Sequence, residues 1–386
     1  MGRRKSSFRK KFNSRWLRWR ASKAAVTAAP FLKKKLNFLG AGVALQDIAQ
    51  TLLHVDDTLM ERPLRDDQID FIRTYCQIND GAAEPKYWEA PWRFRDEHFL
   101  LCDAWMLGHT GRLVDQDFRG VITGWGEAEN WNRDRAALLG TAAHIEGIAI
   151  PIRPYKSYFH FFMDVAIPLT AYFESENKAR GRHVLLHTSQ PRQFARTTLA
   201  ALARRYDCDM REIGAREKAI CAQAVYFRRT QPCRDWFAVR PEIIRALKSA
   251  LAAQQNAQDN GAEKLYLRRG KEKLRNLSNG DALDALATAK GFKVFQPADD
   301  NFAEQIARSA AARSILAVHG AALTNLIFAE PGAEVTEIFS ADFCKSVYLS
   351  IAQMMGHTHR AIICAPGDYR QNFQVDIDAV AQAFVD

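Results

Sequence analysis

The sequence predicts an α/β protein of two Rossmann-like domains behind a basic helical N-terminal arm. Three observations carry that reading. From about residue 155, short apolar runs alternate with amphipathic helical stretches, the βαβ rhythm of parallel strands with helical crossovers. The rhythm pauses at 230–239, beside Pro232 and Pro241, and then resumes, which gives two runs. Thirteen Lys and Arg precede Asp47, the first acidic residue, which sets the N-terminus apart. The implied boundaries are 1–40 for the arm, 41–236 for the first domain and 237–386 for the second.

The elements follow in order. In the arm, Phe8, Phe12, Trp16 and Trp19 recur at helical spacing, with Arg9, Lys10, Lys11, Arg15, Arg18 and Arg20 around them. Residues 41–80 read as helical, because Leu45, Ile48, Leu52 and Leu53, then Ile69, Ile72 and Tyr75, recur every three or four positions. A Pro- and Trp-rich loop fills 81–95. Strands are predicted at 98–105, 118–123 and 145–150, with the polar segment 124–135 as a loop. That loop reads equally as an acceptor-side element and as ordinary surface. The first βα run places a helix at 159–174, a strand at 183–187, a helix at 193–206 and a strand at 222–228. In the second run come a helix at 243–255, a strand at 264–268, a helix at 280–289, a strand at 292–295, a helix at 303–313 and a strand at 314–318. His319 and Gly320 then turn the chain into a helix whose opening turns hold Thr324 and Asn325. Pro331-Gly332 makes the next turn, and 334–339 a further strand.

Composition narrows the function. At 386 residues, 47% apolar and 25% charged, the chain is that of a folded protein rather than a disordered one. The formal charge of +10 sits wholly in the arm: beyond it, 41 Lys and Arg face all 44 Asp and Glu. An acidic body disfavours nucleic acid as the main partner. For residues 1–38, a basic helix with an aromatic edge suits an anionic bilayer; nucleic acid and a solvated tail are the competing readings. The apolar run 24–32 contains Pro30 and is too short to span a bilayer, which takes about 20 residues, or to form a signal core. Seven cysteines without C-x-x-C spacing fit a reducing compartment better than a disulfide framework or zinc site. The expected location is cytoplasmic, peripheral on the membrane.

The residues able to carry chemistry cluster at strand ends. A buried strand turning through His319-Gly320 into a helix N-terminus leaves free N–H groups pointing at whatever lies there, a ready anion site. Arg268 and Arg269 end another predicted parallel strand, where α/β sheets bind ligands, and a guanidinium fork fits phosphate oxygens. Neighbouring strand residues face opposite ways, so the reading takes Arg268 and leaves Arg269 open. Arg275 follows in the basic loop GKEKLRN. Glu337, at the end of the next strand, is a candidate for ribose hydroxyls. His319 suits a diphosphate, a sugar or a backbone cap. His160 and Asp164 lie four apart, on one helix face. They fit a base and its orienting carboxylate, Asp164 acting alone, or a buried hydrogen bond that anchors the helix. Asp-x-Asp pairs at Asp115/Asp117, Asp207/Asp209 and Asp376/Asp378 are short patterns that arise by chance.

These pieces carry a resemblance. HGAALTNLIFAEPGAEVTEIF at 319–339, SYFHFFMD at 157–164, and KLYLRR at 264–269 with Arg275 and Asn276 resemble, in order, three signature blocks of glycosyltransferase family 61. The similarity runs roughly from 140 to 365. Leu267 stands where the family has serine, Phe161 where it has tryptophan, and Ser157 where it has asparagine. The resemblance implies a GT-B architecture and inverting transfer of a sugar from a nucleotide-diphosphate donor to a glycan or lipid-linked glycan, as in capsule, exopolysaccharide or lipopolysaccharide synthesis. It implies donor binding by Arg268, Arg275, His319, Gly320, Thr324, Asn325 and Glu337, and proton transfer by Asp164 with His160. No cofactor and no metal is expected, because arginines and a helix terminus hold the diphosphate. The alternative is a catalytically silent nucleotide- or sugar-binding protein that organises a glycan-assembly complex.

Overall fold

The computed structural model describes residues 42–44, 49–60, 68, 92–108, 110–115, 120–122, 137–175, 180–190, 192–230, 239–252 and 264–384. The arm, the 124–135 loop and the 236/237 boundary lie outside these residues.

The second half builds the simpler sheet. Its five strands, Lys264–Leu267, Lys293–Phe295, Ser314–Val318, Glu334–Ser340 and Thr358–Cys364, are all parallel. In space the first strand lies between the second and third, and the fourth and fifth follow in sequence. The chain therefore winds outward in both directions from the Lys264–Leu267/Ser314–Val318 pair. At that switch point the connections leave on opposite sides and open a crevice at the carboxyl ends of the strands, where doubly wound sheets bind ligands. The two strands at the switch point are short and apolar (Leu-Tyr-Leu; Ile-Leu-Ala-Val) and buried, as strands covered on both faces must be.

The first half differs from the doubly wound expectation. Thr141–Ile152, His183–His187, Asp209–Glu212 and Glu217–Thr230 form a parallel block. Trp92–Leu107 then joins antiparallel to Glu217–Thr230, and Arg112–Val114 and Ala49–Met60 pair antiparallel to Trp92–Leu107. The sheet is thus mixed. Ala49–Met60 replaces part of the helix expected over 41–80. Its apolar spacing suits a helix, but pairing along a sixteen-residue neighbour from Ala49↔Leu101 to Met60↔Trp92 overrides local periodicity.

Between the sheets lies a shared helical layer. Helix α1 (Tyr158–Phe161) runs through a π turn (Phe162–Ala166) into α2 (Ile167–Glu174). Further helices are α3 (Gln193–Tyr206), α4 (Pro241–Ala252), α5 (Gly280–Ala289), α6 (Phe302–Ala311), α7 (Val347–Met355) and α8 (Ile377–Gln382). One hydrophobic core takes residues from both halves: Phe161, Phe162 and Leu169 beside Leu265, Ile315, Leu326 and Phe328. Phe162 meets Phe302 at 6.1 Å and Phe328 at 5.6 Å between ring centroids. Polar ties reinforce the seam. The Asp299 carboxylate accepts from the Gln193 and Phe194 amides at 2.9 and 3.1 Å, capping α3 from the other half.

The π turn has an identifiable cause. Pro168 has no N–H, so the Asp164 carbonyl lacks its α-helical donor. The Ile167 amide instead reaches Phe162 O, one residue further than in an α-helix, and the ladder widens over Phe162–Ala166.

Candidate functional site

The carboxyl edge of the parallel sheet gathers most of the expected residues, with their roles redistributed. His319 follows Ser314–Val318 and is 93% buried, with 7% exposure. Its ring stacks on Phe339 at 5.0 Å and packs against Phe343 and Tyr348. Nδ1 lies 2.5 Å from Glu337 Oε1, and the other oxygen of Glu337 meets His359 Nε2 at 2.8 Å. Parallel pairing makes this possible, because Glu337 stands between Ala317 and Ala361 in the ladder, with its neighbours' loops converging above it. Glu337 is fully buried and both its oxygens are engaged, so it is built into the wall and does not present a carboxylate to ribose. Burial pushes its carboxyl well above the ordinary range. The same burial, then Arg275, Arg269, Lys345 and His359, hold the His319 imidazole well below 6.5, so this ring is neutral.

Two arginines face this histidine. Arg269 lays its guanidinium along the turn, Nη1 on His319 O at 3.4 Å and Nη2 on Leu274 O at 3.1 Å, while its buried Nε has no partner. A Cβ at Gly320 would stand 2.5 Å from Arg269 Nη1, so a larger residue there would push that guanidinium away from the turn. Arg275 holds a left-handed backbone (φ 61°) and stacks over Phe343 at 4.4 Å. Its amide donates to Arg370 O at 2.9 Å, which fixes the loop. Desolvation lowers both arginines, and Arg275 lowers Arg269 further; Glu272 acts on each only through space. Two partly buried guanidiniums side by side, without a carboxylate ion pair among the described residues, make a site charged for an anion.

Arg268 is turned away from this pair. Its Nε donates to Asp284 Oδ2 at 2.7 Å, Asp281 lies 3.7 Å off, and Nη1 reaches Gln296 Oε1 at 3.3 Å. Strand alternation separates Arg268 and Arg269, and the structure puts Arg269 on the His319 side.

Thr324 and Asn325 are wholly buried in a 3₁₀ segment, Ala321–Phe328, where an α-helix was expected. The segment is apolar and wedged among α1, α6 and α7, and the tighter winding fits it there. Asn325 is spent internally: Oδ1 accepts from the Tyr158 hydroxyl at 2.7 Å, and Nδ2 donates to Ala322 O and Gln305 Oε1. The buried Thr324 lies beside the Tyr348 hydroxyl.

His160 and Asp164 meet at 3.1 Å, and with side-chain exposures of 49% and 34% they lie in the open. A buried anchoring bond is therefore excluded. Asp164, through its hydrogen bond first, raises His160 above its ordinary value. Successive ring contacts connect the pair to the cluster: His160 to Phe159 at 5.3 Å, Phe159 to Tyr348 at 5.7 Å, and Tyr348 to His319 at 5.4 Å. Asp164 belongs to the π turn set by Pro168, the kind of irregularity that helices carry at functional sites.

Sequence reasoning passed over Phe343, Lys345, Tyr348 and His359, which fall after the last predicted strand. The apolar period of 347–355 and the alternation of 358–364 were the available signals. Among the described residues no group of three or more His, Cys, Asp or Glu is arranged to hold a metal, and no helix is long and apolar enough to cross a membrane.

Residues 158–336, a little under half of the chain, match the family model described as Glycosyltransferase 61. The match begins at Tyr158, on α1, and stops one residue before Glu337. A search of curated proteins finds no match.

Proposed function

We propose that this chain is an inverting glycosyltransferase that takes a sugar from a nucleotide-diphosphate donor and passes it to a growing glycan, in capsule, exopolysaccharide or lipopolysaccharide assembly. The observation that carries the reading is the Arg269–Arg275 pair at the switch point, two guanidiniums with no carboxylate ion-pair partner among the described residues, beside the free amides that follow Gly320. The leaving diphosphate needs such charge, and preorganised charge in a partly buried site costs no reorganisation as the bond breaks. Arg275 and Arg269 take the diphosphate oxygens. Gly320 keeps the guanidinium close to the turn. Asp164, with His160, takes the acceptor proton from the exposed side, the carboxylate orienting the imidazole. No metal is assigned, since the guanidiniums supply the countercharge. Asn325 and Glu337 shape the wall rather than touch the donor.

The arm completes the proposal. Residues 1–38 attach the enzyme to the anionic cytoplasmic membrane face, close to a lipid-linked acceptor. Each Lys or Arg near such a surface contributes about 1 kcal/mol. Sedimentation with anionic vesicles tests this: the full chain binds at low salt and detaches as salt rises, and a chain without residues 1–38 stays in solution. Failure of the full chain to sediment at low salt rejects the attachment. For the activity itself, the protein is incubated with a panel of nucleotide sugars and release of the nucleoside diphosphate is followed with and without glycan acceptors. Slow release alone and faster release with one acceptor are expected. No turnover of any donor that binds would instead favour the silent binding protein.

A further inference from the structure

Every contact of the His319 ring is settled except one. Nδ1 is held by Glu337, the face by Phe339, and the flanks by Phe343 and Tyr348. Nε2 makes no hydrogen bond to a described residue, although the side chain is only 9% exposed. The ring thus ends in an unpartnered nitrogen at the edge of the arginine pair.

The charges around it decide what that nitrogen carries. Arg269 comes from the loop after Lys264–Leu267, Arg275 from the same loop further on, Lys345 from the loop after Glu334–Ser340, and His359 from the last strand; all disfavour a second proton on the ring. Tyr348, on α7, stays a neutral phenol because burial pushes it up. Among the described residues Glu337 is the one acidic side chain hydrogen-bonded to the ring, and its second oxygen is held by His359, which leaves Oε1 to accept from Nδ1–H. With Nδ1 on Glu337, Nε2 is the nitrogen left to meet the arginine field. A lone pair is favoured there over an N–H.

We propose that Glu337, itself held by His359, fixes His319 in the Nδ1–H tautomer, so that Nε2 accepts a hydrogen bond from a hydroxyl of the donor sugar. The inference rests on the donor reading above and sharpens it: His319 reads the sugar, and the arginines read the diphosphate. A phosphate oxygen has no hydrogen for Nε2, whereas a sugar hydroxyl beside the leaving group does. Glu337 and His359 act through His319 and are positioning residues.

Two measurements test it. Long-range proton–nitrogen correlation spectra of ¹⁵N-histidine-labelled protein, with the His319 signals identified by their loss in His319→Gln, report the tautomer directly. The Nδ1–H form is expected from pH 8 to pH 6; an Nε2–H form or an imidazolium at pH 7 overturns the proposal. Calorimetry then compares the uridine, guanosine and cytidine diphosphates with their sugar conjugates. Glu337→Gln, whose amide can turn an N–H toward Nδ1, should weaken the bound sugar conjugate about tenfold, the weight of one buried hydrogen bond, and leave the parent diphosphate unchanged. Equal loss for both, in a folded variant, overturns the sugar assignment. If no diphosphate or conjugate binds the native protein, the donor reading falls, and the spectra still decide the tautomer.

Discussion

Replacing Arg269 and Arg268 in turn by methionine separates binding from stability. The two residues are adjacent, and their surroundings are opposite. Arg269 has one buried guanidinium nitrogen without a partner, carbonyl contacts at 3.1 and 3.4 Å, and a second arginine beside it. Its charge adds little to folding. Methionine keeps the stem's packing, so the folding stability of Arg269→Met should stay within about 1 kcal/mol of native. Its diphosphate affinity should fall by about 1.5–3 kcal/mol, the range for a hydrogen bond to a charged group, or roughly 10- to 150-fold. Arg268 is paired with Asp284 at 2.7 Å, at side-chain exposures of 35% and 26%. Solvent screening discounts that pair to about 1 kcal/mol. Arg268→Met should therefore melt earlier and bind as before. Isothermal calorimetry with nucleoside diphosphates and thermal melts read both quantities on the same preparations. Native affinity in a folded Arg269→Met, or loss of affinity in Arg268→Met alone, would refute the placement of the anion site.

Further outcomes follow from the same geometry. Asp164→Asn keeps shape and removes basicity, so turnover should drop by roughly 10²–10⁴ while diphosphate affinity is retained; near-native turnover removes Asp164 and its histidine from proton transfer. Asn325→Ala strands the Tyr158 hydroxyl and the Gln305 carbonyl in the seam between the halves, and chemical denaturation should show a loss of about 1–3 kcal/mol. His183, His319 and His357 all sit below their ordinary 6.5, chiefly through burial. The native state therefore takes up their protons less readily than the unfolded chain. Their contribution is complete above the unfolded value and is lost as pH falls through about 6.5. The melting temperature should decline from pH 7 to pH 5, and His357→Gln should shallow that decline; a flat profile would contradict it.

The βα runs on both sides of the 230–239 crossing were legible because their strands are short apolar runs between turn residues. The expected strands at 183–187 and 314–318 and the helices at 193–206 and 280–289 coincide with the observed elements. The Ala49–Met60 strand was not legible: its helical spacing is real, and a partner more than thirty residues away decides against it. The π turn was hidden because periodicity averages over it, although Pro168 marked it. At the site, position was readable and role was not. Strand ends named Arg268, Arg269, His319 and Glu337, but which arginine faces the crevice depends on the twist of one strand end. Glu337 and Asn325 have side chains suited to ligands, and only the buried His359 and the half-buried Tyr158 reveal that their polar atoms are already used.

The central claim is that the carboxyl edge of the parallel sheet, at the switch point between Lys264–Leu267 and Ser314–Val318, binds a nucleoside diphosphate. A crystal structure of the protein with the tightest-binding diphosphate of the panel tests it directly. The phosphates should lie between Arg269 and Arg275, above Gly320, with Arg268 still on Asp284. Phosphates bound on the Arg268 face, or outside the crevice, would contradict the account.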